Sequence, residues 1–181
     1  MALLPLIAKE LLGGGSLTYG LLLGAFGLGA VAGAVGNARL RAVLSTESLV
    51  RLGSVAFATA SAVSALSSYV LVTTVMLFIA GAGWLLTLST MNVVVQMSAP
   101  RWVVARALSI YQMAAFGALA AGSWLWGTVA ESESVPGALL ASAAILLACV
   151  LLGRWLPVSQ AQDLNLDLVR SWKEPSTAVP I

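Results

Sequence analysis

Between Leu17 and Gly36 every residue is apolar or glycine except Thr18 and Tyr19, and no charge interrupts the run. At about 1.5 Å per residue, a helix of that length covers roughly 30 Å, the hydrocarbon thickness of a bilayer. Six of the residues from Gly20 to Gly36 are glycine. In water each interior glycine costs a helix about 1 kcal/mol relative to alanine, so this segment is poorly suited to a soluble helix. In lipid the backbone has no aqueous alternative to its own hydrogen bonds, and the penalty weakens. Small residues then become contact surfaces. Gly20 and Gly24, Gly29 and Gly33, and Gly33 with Gly36 fall on helical faces that a second backbone can approach, and Gly117 with Ala120 and Ala121 forms another such stripe. Static packing and sliding of smooth faces during a conformational cycle are both open readings of these glycines.

The same run contains Gly27, Gly29 and Ala32 in GxGxxA spacing, with Glu47 downstream, as in a dinucleotide-binding turn. That motif carries meaning only after a short strand inside a soluble βαβ unit. Neither context exists here.

Hydrophobic residues make up 60% of the 181, charged residues 9%, and the mean hydropathy is +0.97. An ordinary globular domain is about 25% charged. The chain reads as an integral, all-α membrane protein with the lipid bilayer as its first partner. A net charge of +2 is spread over single or paired basic residues rather than a patch, so no nucleic-acid partner is expected. There is no histidine, the one cysteine is Cys149, and no acidic residue lies inside an apolar run. The usual zinc ligands and intramembrane acid–base groups are therefore missing, and neither an enzyme nor a cofactor is expected.

Hydropathy divides the chain into spans at 17–36, 49–67, 70–97, 105–129 and 137–156, preceded by a short apolar remnant, MALLPLIA. The remnant is too short to span; it is either the end of a longer span or a surface segment. The expected domains are a helical bundle over 1–156, with five full transmembrane helices and a truncated first one, and a tail over 157–181. Arg39, Arg41, Arg51, Arg101, Arg106, Arg154, Arg170 and Lys173 share one side of this arrangement, and Lys9 lies on the other. The positive-inside rule makes the arginine side and the tail cytoplasmic. Tyr19, Tyr69, Trp124 and Trp126 then fall near the outer headgroups, and Trp102 and Trp155 near the inner ones.

Polar side chains concentrate in two spans. Ser89, Asn92 and Gln96 share a face at i, i+3 and i+7 beside Thr87 and Thr90, and Ser109, Tyr111 and Gln112 follow in the next span. Such groups either bond across helices or line a watery cavity. Asn92 and Gln112 are the leading candidates for cavity-lining or gating positions, with Ser89, Gln96 and Tyr111 beside them.

Over residues 92–127, NVVVQMSAPRWVVARALSIYQMAAFGALAAGSWLWG, the chain resembles the C-terminal half of a major facilitator superfamily efflux permease, of the group that includes the bacterial enterobactin exporter. The resemblance extends back through the glycine-rich span and forward to SWKEP in the tail. It implies half of a twelve-helix fold, with residues 2–8 ending helix seven and the five spans forming helices eight to twelve. It places GNARLRAVLSTESLVR at the superfamily's basic cytoplasmic gate loop, with Arg39 and Arg41 as its basic residues and Arg106 as a further candidate for the gate. The motif's acidic residue is missing, and Val104 stands where related sequences often carry a basic one. The implied function is export of a small organic molecule, of drug or siderophore type, by alternating access from the bacterial inner membrane. The implied partner is an N-terminal permease half or a second membrane chain. The alternative from another class is a non-transporting membrane interaction protein.

Overall fold

The computed structural model describes residues 3–153, and every regular element among them is helical. The chain opens with α1 (Leu4–Leu6), which runs into one wide turn over Ile7–Leu11. Gly13 ends it in the left-handed region, at φ 58°, where a side chain would be strained. The Gly14 N–H reaches back to the Ala8 carbonyl at 2.8 Å. Leu3, Leu4, Ile7 and Ala8 are buried in a cluster with Leu22, Ala65, Val135 and Ala138, so the short apolar remnant is part of the core rather than a surface segment.

Five long helices follow: α2 (Ser16–Val43), α3 (Thr46–Leu66), α4 (Val70–Ser98), α5 (Val104–Ser132) and α6 (Val135–Leu152). All five are long and apolar enough to cross a membrane. Local chemistry sets their boundaries. Ser45 is extended and its hydroxyl accepts the Ser48 N–H at 3.3 Å, which starts α3. Glu47 in that first turn sits where the helix dipole favours negative charge, and it pairs with Arg51 one turn on. Ser134 caps α6 by accepting the Gly137 N–H at 3.1 Å, with Pro136 in the first turn where its missing N–H costs nothing. Pro100 breaks α4 from α5, and its carbonyl accepts the Val103 N–H at 2.9 Å.

The boundary between the first two spans differs from the hydropathy reading. The span expected to end at Gly36 continues as helix to Val43, and the next begins at Thr46 rather than at 49. Asn37 to Val43 lowers the hydropathy, but its Ala, Arg and Leu residues are good helix formers and none breaks the helix. Arg39 and Arg41 consequently lie on a helix; the turn proper is confined to Leu44 and Ser45. The tail, with Arg154, Trp155, Arg170 and Lys173, and the end of the last span to 156, lie outside the described residues.

α4 is the centre of the bundle. It packs along α2 on one side and along α3 on the other, while α2 and α3 barely touch. α3 also packs on α6, and α5 leans lightly on α4 and α6. Most large apolar side chains point outward, Leu17, Val35, Leu71 and Met113 among them, as expected where lipid is the solvent.

Candidate functional site

Glycine brings α2 and α4 together. A Cβ on Gly29 would run into the Phe78 backbone carbonyl, and one on Gly33 would stand 2.5 Å from the Ala82 carbonyl oxygen. From the other side, a Cβ on Gly81 would meet the Phe26 carbonyl. The α3–α4 seam has the same construction: a Cβ on Gly53 or on Gly83 would lie 2.6 Å from the other residue's carbonyl oxygen. Gly20, Gly24 and Gly36 meet nothing within 4 Å, and neither does Gly117 on α5. The five glycines singled out on α2 thus divide: Gly29 and Gly33 are used inside the chain, and the other three face outward.

Toward the arginine-bearing end, a polar cluster closes the α2–α4 seam. Asn37 is buried, and its Nδ2 donates to Ser89 Oγ on α4. Arg41, one turn along α2, donates from Nε to Asn37 Oδ1 at 3.1 Å and from Nη2 to the Ser89 carbonyl at 2.8 Å. The guanidinium thus satisfies both an amide oxygen and a main-chain carbonyl, and its charge strengthens both bonds. Ser89 therefore points into the seam with α2. Asn92, one turn further along α4, has its Oδ1 buried without a hydrogen-bond partner among the described residues. Gln96 is exposed, and Tyr111 and Gln112 are half-buried on α5. No hydrogen bond joins Tyr111 or Gln112 to the Ser89–Asn92 face among the described residues. Arg39 and Arg106 are both exposed.

Several hydroxyls noted in the spans are satisfied by their own helices. Thr87 donates to the Gly83 carbonyl at 3.0 Å, Thr90 to Leu86 at 2.7 Å and Ser109 to Ala105 at 2.8 Å. They act neither as cross-helix bonds nor as free cavity donors. No group of three or more His, Cys, Asp or Glu residues among the described residues could hold a metal ion.

The described residues thus form a helical bundle with glycine seams and one buried polar cluster at its basic end. The family model for transmembrane secretion effectors of the major facilitator superfamily matches residues 1–181, the whole chain. The chain belongs to that family. No curated protein and no solved structure matches it. This member of the transmembrane secretion effectors is a multi-pass membrane protein with a transporter role of the efflux kind. Asn37, which joins Arg41 of α2 to Ser89 of α4, was not singled out from the sequence. The available signal was its place directly before the two arginines, inside a run that never stops being helical.

Proposed function

We infer that the chain is the C-terminal half of a secondary active transporter that exports a small organic molecule, of drug or siderophore type, by alternating access. The observation that carries the reading is an asymmetry. α4 is seated between two glycine seams, whereas the most apolar window of α5 contains no buried residue. One side of the bundle is thus a packed core, and the other presents a membrane-length helix with the exposed Gly117 open to close approach. A second helical bundle seated against that open side would supply the other wall of a substrate path. Asn92, with its unpartnered Oδ1, is the residue on α4 suited to take a hydrogen bond as the two halves rock. No carboxylate lies inside an apolar run, so the group that couples export to an ion gradient belongs to the other half.

Accumulation of a fluorescent amphipathic cation in bacterial cells tests this reading. Deleting the gene should raise accumulation, and Asn92→Ala should do the same at an unchanged level of membrane-inserted protein. Unaltered accumulation in the deletion strain would instead support a membrane interaction protein that transports nothing.

A further inference from the structure

At the arginine-bearing end, the last turn of α2, the Leu44–Ser45 turn, the start of α3 and the end of α4 wall a groove of about 420 Å³. These walls lie far along the chain from both ends of the described residues. Leu49 and Thr90 form the floor, at 1% and 2% exposed, and the Thr90 hydroxyl is spent on the Leu86 carbonyl. Val94 and Met97 extend the apolar lining, with Met97 exposed at the rim. Arg41 is the one ionisable side chain that lines the groove.

Arg41 lacks a counter-charge. Its Nε and Nη2 donate to Asn37 Oδ1 and to the Ser89 carbonyl, both neutral acceptors. Among the described residues the one ion pair joins Arg51 to Glu47, and Glu47 does not line the groove. A guanidinium carries five N–H donors in a fixed fork, so the two bonds to the protein set its plane and leave Nη1 and the second Nη2 hydrogen for a further acceptor. A half-buried cation surrounded only by neutral acceptors retains part of its desolvation cost, which an anion offsets. Depth points the same way. The apolar run of α2 ends at Gly36, and Arg41 lies about 7 Å further along the axis at 1.5 Å per residue. That is the headgroup layer, which adds roughly 5–7 Å on each side of the hydrocarbon.

We propose that this groove holds one anionic phospholipid from the leaflet on the arginine-bearing side, with its phosphate on Arg41 and the start of an acyl chain along Leu49, Val94 and Met97. Arginine suits a phosphate because two parallel N–H bonds match two of its oxygens. A free phosphate would exchange its hydration for a single cation, whereas a lipid also buries apolar surface on the rest of the lining. A zwitterionic headgroup brings its own cation, which competes with Arg41 for the phosphate. The site does not depend on the transport reading, since lipid retention reads it out directly.

The full chain is purified in mixed micelles with equal amounts of phosphatidylglycerol and phosphatidylcholine of identical chains, and retained lipid is counted by native mass spectrometry. The expected result is one phosphatidylglycerol per chain, favoured over phosphatidylcholine by about tenfold, the contribution of one charge-assisted hydrogen bond. Arg41→Gln should abolish that preference. Asn37→Asp keeps the guanidinium in place but supplies it with a carboxylate, and should abolish the preference too. Arg101→Gln removes an exposed arginine outside the groove and should keep it. Helicity and elution volume confirm that each variant is folded, and Asn37→Asp alone suffices if Arg41→Gln fails that check. Neither sn-glycerol 1-phosphate nor inorganic phosphate should displace the lipid; displacement by either assigns the groove to free phosphate and overturns the lipid proposal. Absence of any preference, as when another segment of the chain or a partner bundle fills the groove, overturns it. A preference that survives Arg41→Gln and Asn37→Asp, or that Arg101→Gln lowers as much as they do, overturns it equally.

Discussion

Leucine in place of Gly29 or Gly33 would drive a side chain into the α4 backbone, where the nearest neighbours are main-chain atoms of Phe78 and Ala82 that cannot rotate away. Forcing extra carbon into a packed seam costs about 1–3 kcal/mol, and a backbone obstacle puts these sites at the upper end. Gly29→Leu and Gly33→Leu should therefore lower the thermal midpoint and the monodisperse yield in detergent. Gly20→Leu and Gly24→Leu, in open space, should change stability by less than about 0.5 kcal/mol. Similar loss at all four positions would show that α2 meets a further close neighbour. At the polar cluster, Asn37→Leu should cost about 1–3 kcal/mol, because it removes the partner of the Ser89 hydroxyl and of Arg41 Nε. Asn37→Asp should be far milder, since its carboxylate accepts from Arg41 while the Ser89 hydroxyl rotates to donate. Chemical denaturation in micelles distinguishes the two. The glycine stripe was legible in the sequence as a surface made for close approach, but spacing alone assigns no neighbour. Nothing in it distinguishes Gly29, against Phe78, from Gly24, against nothing. Gly81 and Gly83 carried the same signal in a span whose polar residues drew attention first.

At the scale of elements, the helices differ in how firmly they are held. α4 is seated on both sides, whereas α5 has no buried residue in its apolar window. Few buried contacts mean a low free energy of local opening. Hydrogen exchange in micelles should therefore run faster along the middle of α5 than along the middle of α4, by tenfold or more. Uniform protection of the two helices would argue that α5 is held as firmly as the core. Co-expression with a six-helix N-terminal half should slow exchange in α5 specifically. The five spans were readable because each is an unbroken apolar run between turn residues such as Pro100 and Ser134. The inner end of α2 was not, because hydropathy reports what lipid tolerates, whereas helix propensity decides where the backbone stops coiling. Between Asn37 and Val43 the two signals part, and the basic segment expected as a loop is helix. Burial of the first residues was equally hidden, since eight apolar residues look alike on a surface and in a core.

For the whole molecule, the arginines on one side predict an orientation in the bilayer. Arg39, Arg41, Arg51, Arg101 and Arg106 lie at the ends of helices that meet on that side, and carrying such clusters across is disfavoured. A cysteine replacing the exposed Ser132 at the opposite end should react with impermeant thiol reagents in intact cells, and a tag after Ile181 should be reached only after permeabilisation. The inverse pattern would reverse the orientation. The arrangement of α2, α3 and α4 also bears on the order of events during synthesis. The first two long helices are joined through only Leu44 and Ser45, yet they have almost no common surface, and each finds its main neighbour in the helix made after them. A nascent chain paused before Val70 would lack the helix that covers Gly29, Gly33 and Gly53. Entry of the third long helix acts like a keystone, converting two loosely tethered rods into a fixed wedge in a single insertion event.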